Sequence, residues 1–346
     1  MAPKAKEKSK PAAAPAVAIE ELFTSLDRHI QRSEFDRAVR VSDQVLTIAP
    51  GDEDAIRCKV VALIKNDDIE EALSTIQEFS KRYSVDFSFF KAYCLYRQSR
   101  LDEALESLKG QEENVANMLL QSQILYRLGK MDACVDIYQK LHKSKIDSLE
   151  INFIAGLVSA GRASQVQGAI DSFRVKPTSS FELAYNVACS LIQRNMHKDA
   201  DQLLLSARRI GQETLMEENL ADADIELELA PIAVQLAYVQ QILGNTQEAH
   251  ELYSSIIKKN LADESSLAVS ISNLIALKGP KDVSDGLRKL DKLIEKGDEP
   301  LMFQLARGLD IKLSQKQREA IYVNRLLLLL HANKLDQVLH FVLAIF

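Results

Sequence analysis

The sequence predicts an all-α protein built as a right-handed solenoid of stacked helix pairs. Two observations predict this fold class: a repeat that returns every 30 to 34 residues, and a composition that favours helix throughout. Of the 346 residues only 12 are Gly and 8 are Pro, whereas Leu, Ala, Glu and Lys are abundant. No stretch alternates apolar and polar residues as a half-buried strand would, so we expect no β-sheet.

The repeat is plainest over Phe89 to Leu108, whose sequence FFKAYCLYRQSRLDEALESL returns 30 residues later as LLQSQILYRLGKMDACVDIY. Six repeats carry a small residue after a short polar or acidic turn: Ala38, Ala72, Ala104, Cys134, Ala200 and Ala249. A second small or apolar residue lies 12 residues before each of these: Leu26, Val60, Ala92, Ser122, Ala188 and Ala237. This spacing is typical of the tetratricopeptide (TPR) repeat, in which two antiparallel helices approach closely at small side chains.

We predict nine TPR repeats, and we number the positions in each so that the small residue of the first helix is at position 8. The repeats lie at about residues 19–52, 53–84, 85–114, 115–146, 147–180, 181–211, 231–261, 262–299 and 314–346. Residues 1–18 contain four Lys and one Glu without an apolar face, and are predicted to form a disordered basic tail. Residues 212–230 form an acidic insertion, interpreted as a solvated loop, with contact to a basic partner as the alternative.

Local signals mark several boundaries of these repeats. Ser179 and Glu182 are predicted to form a capping box at the start of repeat six. Pro231 is expected in the first helical turn of repeat seven, where its missing N–H costs nothing. A break in repeat eight is expected at Gly279–Pro280, because neither residue favours the helix interior.

Two repeats depart from the regular pattern. Repeat five contains three glycines that weaken its helices, so it is either a softer joint or a repeat stabilised by its neighbours. They are Gly156, Gly161 and Gly168. The last predicted helix ends on HFVLAIF, which is apolar for a terminal repeat. Either the protein continues past Phe346, or this helix folds back as a cap.

Charge and cysteine content exclude several classes of function. The net charge is −6, and because the tail contributes +3 the rest of the chain carries −9, which is a poor surface for binding phosphates. The four Cys residues lie far apart and form no CxxC pair or metal-binding spacing, so we expect reduced thiols in a cytosolic protein. No signal peptide is recognised, and the apolar run from Leu326 to Leu330 is too short to cross a bilayer.

The sequence contains no recognisable catalytic constellation. It has no Gly-rich phosphate loop, no HExxH and no GxSxG, and its six His residues are scattered without partners at ligand spacing. We therefore predict a protein that is not an enzyme, with no cofactor and no metal site.

Function is then expected on the surface formed by the first helices of the repeats. Positions 2, 5, 9, 12 and 13 of each first helix are predicted to face the inner, concave wall. In repeats three and four they include eight candidate partner-binding residues: Phe89, Tyr93, Tyr96, Arg97, Leu119, Gln123, Tyr126 and Arg127. Aromatic residues and Arg are enriched at interface hot spots, so we predict a groove for a peptide or helix with apolar anchors. The alternative is that some of the rings pack between helices, Tyr93 foremost.

Several stretches carry a resemblance more specific than the TPR spacing. They include AIRCKVVALIKNDDIEEALSTI from Ala55, ELAYNVACSLIQRNMHKDADQLL from Glu182 and AVQLAYVQQILGNTQEAHELYSSIIK from Ala233. Together with FFKAYCLYRQSRLDEALESL, these stretches resemble the TPR subunit family of the eukaryotic signal recognition particle, the seventy-two-kilodalton subunit. The resemblance covers roughly residues 19–338.

This resemblance implies a scaffold function. In that family the amino-terminal TPR array binds the C-terminal part of the sixty-eight-kilodalton subunit, within the particle that targets ribosomes to the endoplasmic reticulum. It implies contact with the particle's RNA only indirectly, or through a Lys-rich C-terminal segment that this sequence lacks. It also implies residence in the cytoplasm, and in the nucleus or nucleolus during particle assembly, without membrane insertion.

Two other functions stay open on the residues alone. One is a TPR adaptor for a chaperone or transport complex, and the other is a regulatory TPR module of an enzyme. Some TPR proteins hold the carboxylate of a chaperone C terminus with a clamp of Lys, Asn and Arg. The corresponding positions here hold Phe23, Asp27, Arg57 and Val61, which do not form such a clamp.

Overall fold

A computed structural model describes residues 19–144, 146–294 and 304–345 of the chain. These residues are predominantly helical, and their only β-pairing is an isolated bridge between Ile294 and Leu305. The all-α fold class predicted from the repeat is therefore confirmed. The predicted basic tail at 1–18 and the end of predicted repeat eight at 295–299 lie outside the described residues.

The chain divides into two compact units, residues 1–145 and 146–346. The first unit contains eight helices in its described part, and two of them fall within each of the first four predicted repeats. They are α1 (Ile19–Gln31), α2 (Phe35–Ile48), α3 (Glu53–Lys65), α4 (Ile69–Arg82), α5 (Ser88–Arg97), α6 (Leu101–Ser107), α7 (Val115–Arg127) and α8 (Met131–Leu141).

The described part of the second unit is less regular and contains twelve α-helices and one 3₁₀ turn. Its first seven helices are α9 (Leu149–Ser159), α10 (Val166–Phe173), α11 (Phe181–Gln193), α12 (His197–Glu217), α13 (Asp222–Glu228), α14 (Ala230–Ile242) and α15 (Thr246–Lys259). The remaining helices are α16 (Glu264–Lys278), α17 (Val283–Leu290), α18 (Arg307–Lys312), α19 (Gln315–His331) and α20 (Leu335–Ile345). The 3₁₀ turn, Ala163–Gln165, precedes α10 in the glycine-rich repeat five.

Small side chains lie where the two helices of a repeat meet, as the spacing predicts. Each of the six small residues of the second helices is 0% exposed, and the residues 12 positions earlier are at most 1% exposed. A methyl or thiol at these points lets the helix axes approach, whereas a longer side chain would force them apart. These residues are therefore buried, as the register assigned from the sequence predicts.

Left-handed residues reverse the chain between the two helices of a repeat, at position 15. Ser33, Asp67 and Ser99 have φ of 57°, 67° and 61°, and Gly129 occupies the same place with φ 73°. In repeat three the Arg100 amide donates to the Leu95 carbonyl at 2.9 Å, which satisfies one of the free carbonyls at the end of α5. These turns fix where position-15 side chains point, and two of them take part in the site below.

One local prediction in the second unit is wrong and two are confirmed. Ser180, not Ser179, caps α11, because its hydroxyl accepts from the Leu183 amide at 3.2 Å. The capping box assigned to Ser179 and Glu182 is therefore absent. Pro231 does lie in the first turn of its helix, and α16 ends at Lys278 with Gly279 at φ 62°, as predicted.

The acidic insertion is helical rather than a loop. Helix α12 runs through to Glu217, and α13 forms within the same segment. Gly211 permits this, because a Cβ there would lie 2.5 Å from the Leu229 side chain. The apolar residues Leu215 and Ile225 are buried, while the carboxylates of the segment point outward. The prediction of a solvated loop was wrong because the acidic residues of the segment outnumber the apolar ones that form its buried side.

The final helix pair exposes an apolar face. Leu335 is 60% and Leu339 is 62% exposed, although they hold positions 17 and 21 of their repeat. At the same positions in repeat two, Ile69 and Leu73 are only 9% and 8% exposed. In repeat two these residues belong to a cluster that includes side chains of α5, the next first helix. The last repeat thus presents the face on which, earlier in the chain, a following repeat packs.

Candidate partner-binding groove

The eight predicted binding residues lie on two adjacent helices of the first unit. Four belong to α5 and four to α7, and these helices contact each other directly. Within each helix the residues recur at intervals of three and four, so they share one face. We call this surface the α5–α7 face; its members are Phe89, Tyr93, Tyr96, Arg97, Leu119, Gln123, Tyr126 and Arg127.

The α5–α7 face is accessible but not free of structural contacts. The two Arg residues are exposed, and the other six residues are partly buried. Phe89, Tyr93 and Tyr96 also pack against the hydrophobic core that joins repeats two to four. The alternative that some rings pack between helices is therefore partly correct, and it applies to Tyr96 as well as to Tyr93.

Arg127 and Tyr96 form the central contact of this face. The Arg127 guanidinium carbon lies 4.8 Å from the centre of the Tyr96 ring, over its face. Nη1 of Arg127 donates to the Tyr96 carbonyl at 2.9 Å, and Nη2 donates to the Ser99 hydroxyl at 2.8 Å. A cation over an aromatic face is attracted by the negative charge density of the ring. One side chain of repeat four thus holds the ring, the backbone and the turn of repeat three.

Arg97 makes the corresponding contact with repeat two. Its Nη2 donates to Oδ1 of Asp67 at 2.6 Å. A hydrogen bond with Tyr93, followed by the charge of Asp67, raises the pKa of the Arg97 guanidinium. Because Arg97 and Asp67 are 39% and 72% exposed, we expect this ion pair to contribute at most about 1 kcal/mol.

A buried tyrosine that was not predicted as part of the site, Tyr138, lies close to residues of the α5–α7 face. Tyr138 of α8 is 2% exposed, and burial raises its pKa to about 12, although a hydrogen bond with Ser122 acts in the opposite direction. Its hydroxyl is also close enough to Tyr126 and Tyr96 to feel their charge on ionisation. The repeat spacing identifies Ser122, at position 8, only as a small residue, so the sequence carries no signal for its hydrogen bond with Tyr138.

Phe87, Asp67 and Ser99 were likewise not predicted to belong to this region. Phe87 is 3% exposed, and the Arg57 guanidinium carbon lies 5.8 Å from the centre of its ring. Asp67 and Ser99 could have been found from the sequence, since both hold position 15, directly before the second helix. The signal for both residues is the polar turn, the same feature that sets the repeat register.

The described residues carry neither a metal-binding cluster nor a membrane-spanning helix. No group of three or more His, Cys, Asp or Glu residues with metal-binding geometry occurs within the described ranges. In that part of the chain no helix is both long enough and apolar enough to cross a membrane. The four Cys residues are free, and burial raises the pKa of Cys94 and Cys134 to about 11, so these thiols stay protonated at neutral pH.

Comparison with known sequences matches this chain to signal recognition particle proteins. Residues 35–157 match a family model of SRP TPR-like proteins, described as "Putative TPR-like repeat". The chain is 32% identical over 325 residues to signal recognition particle subunit SRP72 of Homo sapiens, covering 93% of this chain and 47% of that protein. It is 29% identical over 336 residues to SRP72 of Dictyostelium discoideum, covering 93% and 48%. The chain thus spans about half the length of the curated relatives it matches.

Solved structures match the fold without close sequence similarity. The apo form of RapI is matched with a TM-score of 0.53 and 13% identity, covering 92% of this chain and 98% of RapI. A Rap protein complexed with Competence and Sporulation Factor gives a TM-score of 0.51, also at 13% identity. At this identity the likeness supports the helical-repeat fold alone.

Fold and site together define a TPR-type helical repeat protein whose first helices present an aromatic and cationic face. Within that class, its sequence is similar to SRP72 proteins over about half of their length.

Proposed function

We propose that this chain is a non-enzymatic scaffold of the signal recognition particle, and that it binds the C-terminal part of the sixty-eight-kilodalton subunit on the α5–α7 face. The proposal is carried by the similarity to SRP72, which extends over 93% of this chain. It is supported by the aromatic surface that stays accessible on two adjacent first helices. TPR proteins commonly use the inner wall of their first helices for such contacts.

The chemistry of the face favours a segment with apolar or aromatic anchors. Tyr96 and Tyr126 offer large contact areas with few rotatable bonds, so little conformational entropy is lost when a partner covers them. Leu119 and Phe89 extend the apolar surface at position 5 of each helix. Gln123 at position 9 can pair with the backbone of an extended segment or with a polar side chain.

Through this interaction the chain would support cotranslational targeting of proteins to the endoplasmic reticulum. We infer residence in the cytoplasm, with passage through the nucleus or nucleolus during particle assembly. Contact with the particle's RNA would be indirect, because the described residues carry more acidic than basic side chains.

Isothermal titration calorimetry with a purified C-terminal fragment of the sixty-eight-kilodalton subunit tests this proposal. We expect saturable binding with one site per chain and a negative heat-capacity change, since apolar surface is buried. A peptide with the acidic C terminus of a heat-shock chaperone serves as the control ligand. Absence of binding by the fragment, or tighter binding by the chaperone peptide, would contradict the proposed partner.

A further inference from the structure

Position-13 side chains of the first helices reach back to the preceding repeat in both units. In the first unit, Arg127 of α7 donates to the Tyr96 carbonyl of α5 at 2.9 Å. In the second unit, Gln193 of α11 donates to the Val158 carbonyl of α9 at 2.8 Å. Tyr96 and Val158 hold the same place, one residue before the end of their helices. We call this contact the position-13 latch.

The latch adds a second donor to a backbone carbonyl at the end of a helix. The Tyr96 and Val158 carbonyls lie among the last four of their helices, and they also accept from the Ser99 and Gly161 amides of the following turns at 3.0 and 3.1 Å. The side-chain donor from the neighbouring first helix binds the second lone pair of the same carbonyl and fixes the axial offset between the two helices. The contact is therefore explained by the geometry of the fold, without any ligand.

Arg127 differs from Gln193 because its guanidinium makes three contacts at once. Besides the carbonyl, it donates to the Ser99 hydroxyl and lies over the Tyr96 ring. Ser99 is held in the left-handed region at φ 61°, which fixes the direction of its Cα–Cβ bond. The planar guanidinium is thus bound along one edge and on one face by groups of repeat three.

We propose that Arg127 is a positioning residue for partner binding: it orients the Tyr96 ring on the α5–α7 face and does not itself pair with an acidic group of the partner. The inference rests on the proposed function of that face. The latch sets the distance between the α5 and α7 tyrosines, and the stacked guanidinium restricts the rotation of the Tyr96 ring. Recognition on this face then depends on apolar and aromatic anchors, and the arginine contributes through the ring.

Arg127→Lys and Arg127→Met distinguish positioning from direct charge pairing. Lys keeps the positive charge but cannot form the planar, two-donor contact with the carbonyl and the hydroxyl. We expect both variants to weaken binding of the sixty-eight-kilodalton fragment by about five- to tenfold, with the ratio to wild type unchanged between low and high salt. Wild-type affinity in Arg127→Lys, or a loss that shrinks at high salt, would overturn the inference.

A double-mutant cycle that combines Arg127→Met with Tyr96→Ala measures the coupling between the two side chains in binding. A purely structural role of Arg127 would not produce such coupling. If Arg127 acts through the Tyr96 ring, Arg127→Met should have little further effect on affinity once the ring is removed. Additive losses would mean that the two side chains act on the partner separately, and would overturn the inference.

Gln193→Ala is the matched control, since it removes a position-13 latch outside the α5–α7 face. It should leave affinity for the fragment unchanged, and circular dichroism should show that every variant retains its helices. If the wild-type chain does not bind the fragment, the proposed function fails and this inference fails with it. If the wild type binds but the cycle is additive, only this inference fails.

Discussion

Asn324 of α19 donates its side-chain amide to both the carbonyl and the hydroxyl of Ser272 in α16, at 3.0 and 2.8 Å. Fifty-two residues separate the two side chains, and Ser272 is only 2% exposed. A part-buried polar pair of this kind fixes the register of two helices, because any slip leaves a donor or acceptor without a partner.

Replacing Asn324 by Ala should therefore destabilise the second unit. The variant leaves the Ser272 hydroxyl buried without its partner, which typically costs about 1–3 kcal/mol. Thermal unfolding followed by circular dichroism measures the effect. Asn117→Ala is the control, because its bond to the Glu112 carbonyl is exposed to solvent. Equal melting temperatures for the two variants would contradict the argument.

Enlarging a small contact residue should force a helix pair apart. Ala104 is 0% exposed at the meeting point of α5 and α6, and we expect Ala104→Leu to destabilise by about 1–3 kcal/mol. Ala72→Leu should behave in the same way within repeat two. Ala133→Leu, one residue before the buried Cys134, is the control, since Ala133 is exposed. The assigned register would be wrong if the buried and the exposed substitutions had the same effect on the melting temperature.

Removing two rings from the α5–α7 face should weaken the proposed partner. Truncating a central anchor typically costs about 2 kcal/mol or more, so Tyr96→Ala combined with Tyr126→Ala should lower affinity by well over tenfold. Calorimetry with the sixty-eight-kilodalton fragment measures this, with the helical spectrum as a check on folding. His197→Ala lies in the second unit and should have little effect. Unchanged affinity in the double variant would place binding on another surface.

Buried thiols should make the fold sensitive to alkaline pH. Burial raises the pKa of Cys94 and Cys134 from the ordinary 9.0 to about 11. Below pH 9 both states keep the thiols neutral, whereas between pH 9 and 11 only the unfolded chain ionises them. A raised folded-state pKa therefore contributes stability that is lost as pH rises through this window. The melting temperature should fall between pH 9 and 11, and the fall should be smaller in the double variant Cys94→Ala/Cys134→Ala. Equal falls in the wild type and the double variant would exclude these thiols as a cause.

The chain by itself should bind the particle's RNA weakly. The described residues are acidic overall, and phosphate binding requires clustered Lys and Arg. In a filter-binding assay at physiological salt we expect no saturation at low micromolar protein. Tight binding that persists in high salt would show a base-specific or shape-specific RNA surface that the charge pattern does not reveal.

The helix pairs and their contact points could be predicted from the sequence because both depend on short spacings. The 12-residue interval between Ala92 and Ala104 defines two helices and the turn between them, and both residues proved to be fully buried. The boundaries marked by Pro231 and Gly279 follow from backbone chemistry that acts within a single turn. The same spacing selected the residues of the α5–α7 face.

Contacts between repeats could not be predicted in this way. The sequence assigned Arg97 and Arg127 to the inner surface, but not the groups that they meet there. Arg127 reaches the carbonyl of a residue 31 positions earlier, and a backbone carbonyl carries no sequence signal. The acidic segment was also misjudged, because its helicity depends on cover for Leu215 and Ile225 from residues distant in the chain.

The sequence by itself therefore determined the class of fold and the buried contact residues of the helix pairs, since both follow from local periodicity and side-chain size, whereas its assignment of residues to an inner face stays a prediction. Only the tertiary structure decided which of those side chains are already engaged, because hydrogen bonds and stacking between neighbouring repeats depend on the axial offset of whole helices. That offset places the Arg127 guanidinium on the Tyr96 ring.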